Sequence, residues 1–175
     1  MIIINNIEDL KKHHIAKKNG VSGIYLWGVK HRNRYIPLNV GKGNNIHERI
    51  FQHLSRWRGG EYRVPKWEII IGKEKQLNPF TTDEKLLYIP HGAHKYSDFL
   101  KNEEINKSIK NVVDNFFCIL YPIENSNLYD DEDSLATLVG KGILISSHRK
   151  KDTQPTKYAQ DVFDKLKEIN NKICP

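Results

Sequence analysis

Residues 22–29 and 35–40 each alternate between two kinds of side chain and are rich in β-branched and aromatic residues, with the basic segment 30–34 between them. This pattern predicts a β-hairpin closed by a five-residue turn. Ile24 and Leu26 fall on one face of the first strand and Tyr25 and Trp27 on the other; in the second strand Ile36, Leu38 and Val40 oppose Tyr35 and Asn39. With the aliphatic set turned to the core, Tyr25 and Asn39 share the open face. Gly41-Lys42-Gly43-Asn44-Asn45 then breaks the alternation, and Asn45 with Glu48 three residues on has the N-cap and N3 spacing of a helix start. At about 100° per residue, Ile46, Ile50 and Leu54 form the buried stripe of that helix. Arg49 and His53, spaced i,i+4, stand side by side along its edge.

The remaining chain predicts further elements. Residues 5–18 read as a short helix docked by Ile7, Leu10 and Ile15 and stopped by Asn19-Gly20. The adjacent His13 and His14 face different directions on such a helix and read as surface residues, since paired ligation wants i,i+4 spacing. Residues 64–72 read as a strand, 73–84 as a polar loop and 85–92 as another short strand. Ser97 caps a helix with Phe99, Leu100, Ile105, Ile109 and Val112 on its apolar side. His91, His94 and Asp98 offer metal-ligand types, but Gly92 between the histidines leaves their local geometry unset, and turn and surface roles are the expected reading. Residues 114–122, with Phe116 to Leu120 leaving no polar face, are the strongest buried-strand candidate and the third strand of a sheet. Leu135, Leu138 and Val139 recur at helical spacing, which puts Glu132 near a helix start. Tyr158, Val162, Phe163, Leu166 and Ile169 mark a last amphipathic helix able to cover an open sheet face. The expected class is α+β: a small three-stranded, mainly antiparallel sheet flanked by helices. Residues 1–175 form a single domain on this reading, with 59–112 inserted into it.

Charge adds a partner class. The net charge is +7, from 28 Lys and Arg against 21 Asp and Glu, and the excess is clustered. Residues 30–58 hold Lys30, Arg32, Arg34, Lys42, Arg49, Arg56 and Arg58 against Glu48 alone. Residues 141–157 hold Lys141, Arg149, Lys150, Lys151 and Lys157 against Asp152. Both runs adjoin the hairpin and Glu132 segments in the expected arrangement, and clustered positive charge favours a polyanion through counterion release. A solvated face accounts for the same runs without any partner. Cys118 lies within an apolar run and Cys174 is far from it in sequence, so a buried thiol is expected and redox chemistry is not. The apolar run at the N-terminus is four residues long and gives way to charge, which expects neither signal peptide nor membrane anchor and a cytoplasmic setting. GxxxxGK[ST] is absent, so Gly41-Lys42-Gly43 predicts no nucleotide cofactor.

Taken together, Gly23-Ile24-Tyr25, then Asn39-Val40-Gly41-Lys42-Gly43, then Arg49 and His53 resemble the GIY-YIG nuclease superfamily. The resemblance rests on the whole ordered set, with a hairpin between its halves and a helical Arg-x-x-x-His after it. It covers residues 23–53 and, more weakly, the segment around Glu132. One residue departs from the pattern: Asn39 stands where the family carries its second Tyr. Family members place a metal-binding Glu at the start of the helix after the third strand, commonly as Glu-x-x-Leu, and Glu132-Asp133-Ser134-Leu135 corresponds. The family Asn some three turns later has no evident counterpart; Ser146 or Ser147 is nearest its place. Asp130, Asp131, Glu132 and Asp133 also suit a helix N-terminus electrostatically, and Asp131 and Asp133 are the fallback ligands.

The resemblance implies a metal-dependent DNA endonuclease, restriction-like, with one Mg²⁺ (or Mn²⁺) per active site held by Glu132. Tyr25 would orient or deprotonate the attacking water. A phenol with an ordinary pKa near ~10 needs a nearby cation for that task, and Lys42 is the neighbour. Arg49 would hold the scissile phosphate bidentately, and His53 would bind it or pass a proton. Asn39 supports by hydrogen bonding. Lys30, Arg32, Arg34, Arg56, Arg58, Arg149, Lys150 and Lys151 would carry double-stranded DNA. A palindromic duplex offers two equivalent cuts, which expects a homodimer. Two alternatives stand beside this reading: a catalytically silent nucleic-acid-binding protein of the same fold, and a structural or partner-binding domain whose basic face is only solvation.

Overall fold

The computed structural model describes residues 1–16, 20–59, 64–72, 87–88, 101–124, 127–139 and 154–171. Its elements run β1 (Ile2–Ile4), α1 (Ile7–Ala16), β2 (Gly23–His31), β3 (Arg34–Gly43), α2 (Ile46–Arg58), β4 (Val64–Pro65), α3 (Trp67–Ile71), β5 (Leu87–Tyr88), α4 (Glu103–Asp114), β6 (Phe116–Pro122), α5 (Leu128–Val139) and α6 (Lys157–Asn171). The class is α+β as expected, but the main sheet has four strands, in the order β1-β6-β2-β3, all antiparallel. The extra strand is the N-terminal Ile2–Ile4, which pairs Ile2 with Leu120 and Ile4 with Cys118. Three residues are too few for a periodicity to register. β4 and β5 form a separate two-stranded sheet.

Both faces of the sheet are covered. Tyr25, Trp27, Val29 and Leu38 pack with Phe116, Cys118 and Leu120 against Leu10 of α1, Ile46, Ile50, Leu54 and Trp57 of α2, and Ile105, Ile109 and Val112 of α4. Ile24, Leu26, Val40, Phe117 and Ile119 pack on the other side against Leu135 of α5 and Ala159, Val162 and Leu166 of α6. β6 therefore feeds alternate side chains into two cores, as its wholly apolar sequence requires. Burial pushes the Cys118 thiol pKa up, so it is an inert core group. Cys174 lies outside the described residues.

The expected open face beneath Tyr25 and Asn39 does not exist. α2 lies over it, leaving Tyr25 fully buried and Asn39 only 4% exposed. The hairpin register is also not a simple alternation. Trp27 pairs with Asn39 but Gly28 pairs with Pro37, so Leu38 is an extra residue in β3. That β-bulge moves Leu38 to the Trp27 side while Val40 stays on the Ile24 side, splitting the set that strict alternation keeps together. Gly28 permits it, because a Cβ there would overlap the Ile36 carbonyl oxygen. The turn is tighter than predicted: His31 pairs with Arg34, and Arg32 takes the left-handed φ of 53° that two-residue hairpin turns demand.

α2 forms as read. The Asn45 side chain accepts from Glu48 N–H at 3.2 Å, a cap that contributes about 1 kcal/mol, and Gly59 closes the other end. Its Ile46, Ile50 and Leu54 are all buried, each contributing about 1.5–3 kcal/mol. A backbone bond from Ile46 N–H to the Val21 carbonyl (2.9 Å) ties the helix start to the entry of β2. The strand expected at 64–72 is two strand residues followed by the short helix α3; Pro65 has no N–H for a ladder, and Trp67, Ile70 and Ile71 have i, i+3, i+4 spacing. Only Leu87–Tyr88 of the strand expected at 85–92 is described, and it pairs with β4. Asn102 caps α4, accepting from Glu104 and Ile105 N–H groups; Ser97, Phe99 and Leu100, like His91, His94 and Asp98, lie outside the described residues. Ile15 does not dock and is 73% exposed. No helix among the described residues is long and apolar enough to cross a membrane.

Candidate active site

β3 is an edge strand of the sheet, so at its C-terminal end α2 and α5 approach it from opposite faces. A pocket of about 460 Å³ opens there, lined by Tyr25, Asn39, Lys42, Arg49, His53, Tyr129 and Glu132 among others. Five residues proposed for catalysis and the supporting Asn39 thus meet in one place, from β2, β3, α2 and α5. Lys42 Nζ lies 2.6 Å from Glu132 Oε2, with the two side chains 20% and 15% exposed. It also sits over the Tyr129 ring, 3.4 Å from its centroid. Arg49 is exposed and donates from Nη1 to Gln52 Oε1 (3.3 Å); His53 is half-buried.

α5 begins four residues before Glu132, so that carboxylate belongs to the second turn of the helix. This places it deeper than the helix start predicted for it. Of the acids at 130–133, Glu132 lines the pocket, whereas Asp131 is buried and neither Asp131 nor Asp133 is among the lining residues. Tyr25 pairs across the hairpin with Gly41, and its phenol lies over that glycine. A Cβ at position 41 would overlap the phenol oxygen, which explains why glycine stands there. Gly41→Ala is therefore expected to lower stability by about 1–3 kcal/mol and displace Tyr25; an unchanged denaturant midpoint would remove this role for Gly41.

The pocket donors suit a hard, hydrated cation. Glu132 is the one carboxylate among its described lining residues, and no described group of three His, Cys, Asp or Glu could by itself hold a metal. A single carboxylate is compatible with Mg²⁺, which proteins commonly hold through one or two carboxylates with most of its waters retained, and not with the protein cages that hold Zn²⁺ or Ca²⁺; in this structure Glu132 is paired with Lys42. Asn39 Oδ1 is buried with no hydrogen-bond partner among the described residues, an unused acceptor beside the pocket.

The basic residues do not all gather at the pocket. Lys30, Arg32 and Arg34 are exposed at the hairpin turn, and Arg34 is roughly 26 Å along β3 from Lys42. Their nearness in sequence is lost because the strand is extended. Arg56 continues the Arg49–His53 edge of α2, about 10 Å from Arg49 along the axis, and Arg58 follows at the exposed end. Lys141, Arg149, Lys150 and Lys151, with Ser146 and Ser147, lie outside the described residues.

Two groups escaped the sequence reading. Tyr129 stands three residues before Glu132, a spacing that shares a helix face, but Glu132 was expected to begin the helix. His13 and His14 are half-buried at the surface and pack on α2: their rings lie 4.9 Å and 5.5 Å from that of His47, and His13 Nδ1 is 2.6 Å from His47 Nε2. Burial, reinforced by His13 and His14, lowers the His47 pKa to about 4. The unfolded chain takes up this proton near ~6.5, so the folded state costs nothing here above that pH and loses stability as pH falls toward 4. The thermal midpoint is expected to fall across this window, and His47→Gln to flatten the fall between pH 6.5 and 5, ahead of most carboxylate titration. An identical slope in the variant would contradict the assignment.

Comparison with protein-family models, characterised proteins and solved structures returns no match to this chain.

Proposed function

We propose that this chain is a metal-dependent DNA endonuclease of the GIY-YIG type, hydrolysing phosphodiester bonds in a restriction-like role on duplex DNA as a homodimer. The observation that carries the reading is the convergence of Tyr25, Lys42, Arg49, His53 and Glu132 on one pocket. Phosphodiester hydrolysis needs a placed water, an acceptor for its proton, positive charge on the phosphoryl oxygens and help for the departing oxyanion. In this scheme the Tyr25 hydroxyl orients the water and, as the phenolate with Lys42 as its neighbouring cation, takes the water's proton and returns to the phenol. Arg49 donates two parallel bonds to the phosphate, and His53 hydrogen-bonds the phosphate or protonates the leaving oxygen. Lys42 stands between the carboxylate and the substrate and holds the charge balance of the site. Glu132 would hold Mg²⁺ or Mn²⁺, which supplies Lewis-acid stabilisation of the charge that develops on the phosphate.

A test follows from the guanidinium. Arg49→Lys keeps the charge but not the planar fork, so it is expected to lower cleavage of a labelled duplex nearly as far as Arg49→Ala, roughly a hundredfold or more. Full activity in the Lys variant would reduce Arg49 to a contribution to the field. One observation favours a second reading, a silent nucleic-acid-binding protein: Asn39, not a second phenol, lies on the Tyr25 side of the hairpin. That reading requires an inert wild type in which Asn39→Tyr creates nicking.

A further inference from the structure

We propose that Tyr129 is a stacking platform for one nucleobase beside the scissile phosphate, so that DNA is cut at a nucleotide unstacked from its neighbours. This rests on the nucleic-acid reading above. Tyr129 is 70% exposed, and the other exposed large hydrophobics among the described residues, Met1 and Ile15, are not among the residues lining the pocket. An exposed aromatic at the rim of a polar, cationic pocket has no core to serve. Its ring is nevertheless held: Lys42 Nζ sits 3.4 Å from the centroid, and Lys42 is anchored by Glu132 at 2.6 Å. One ring face meets the ammonium, and the exposure leaves the other to solvent.

This pairing of a fixed aromatic ring with backbone-binding cations is the chemistry by which proteins hold unpaired nucleotides, since every base offers a π-face. Tyr129 and Glu132 lie one helical turn apart on α5, while Arg49 and His53 reach the same pocket from α2. A phosphate held at Arg49 would leave the adjoining base within reach of the pocket rim. A base inside an intact duplex cannot lie flat on such a ring, so the nucleotide must be unpaired, mismatched or drawn out of the stack.

The test uses the full chain in EDTA, where binding is read without cleavage, with a fluorescent single-stranded oligonucleotide carrying 2-aminopurine and with an abasic strand of the same length. Wild type is expected to quench 2-aminopurine and bind the base-bearing strand roughly tenfold more tightly than the abasic one. Tyr129→Phe should retain this preference. Tyr129→Leu should lose it, binding both strands alike, with circular dichroism matching wild type. If Tyr129→Leu weakens both strands by the same factor, the ring only steadies Lys42 and the stacking role is overturned, while the nuclease reading stands. Equal wild-type affinity for the two strands has the same consequence. If wild type binds neither strand nor duplex, both readings fall together.

Discussion

Glu132→Gln is expected to abolish metal-dependent cleavage, by roughly a thousandfold, while leaving DNA binding in place. The substitution preserves size and hydrogen bonding but removes the carboxylate charge on which a hydrated Mg²⁺ would depend. Among the acids of α5 it is this one that lines the pocket, so Asp131→Asn and Asp133→Asn should be much milder. The variant should still fold: the Gln amide keeps a hydrogen-bond acceptor for Lys42, and weakening this mostly buried Lys42–Glu132 pair costs about 1–3 kcal/mol. Tighter DNA binding without metal is a further expected result, because the pocket then carries one negative charge fewer against the phosphate. Single-turnover cleavage beside a binding isotherm measures both; full activity in a folded Gln variant would move the metal elsewhere.

The second large effect is an asymmetry between two residues on the same side of the hairpin. Tyr25→Phe removes one oxygen and keeps the ring that packs over Gly41 beneath α2. It is expected to end cutting with little change in thermal midpoint. Asn39→Ala removes a buried amide that offers a hydrogen bond but no base, and should leave most of the activity. Comparable losses from the two variants would mean that water is placed by the pair jointly. Activity in Tyr25→Phe would exclude the phenol as the proton acceptor.

The local order of the site was legible because its elements are short-range. Asn45 and Glu48 mark a helix start in any context, and the stripe Ile46, Ile50, Leu54 fixes which side of α2 is buried, hence where Arg49 and His53 stand. The two-sided burial of Phe116 to Leu120 was equally plain in composition. What failed depended on tertiary choices. Alternation identifies two faces of a hairpin but cannot say that helices will cover both, which is why Tyr25 and Asn39 were expected on an open face. A bulge at Leu38 depends on the close approach of Gly28 to the Ile36 carbonyl, and a single glycine does not announce it. Neighbouring histidines on α1 look like surface groups until α2 brings His47 between them. The basic turn at Lys30 to Arg34 looked close to the site because distance was read along the sequence, whereas an extended strand carries it away.

The most direct measurement is incubation of supercoiled plasmid with the full chain in Mg²⁺ and, in parallel, in EDTA. The proposal predicts nicked and linear products in Mg²⁺ alone, absent with Glu132→Gln and with Tyr25→Phe. Plasmid that remains supercoiled with Mg²⁺, Mn²⁺ and every other divalent ion tried, under conditions where the protein binds it, would contradict the endonuclease assignment.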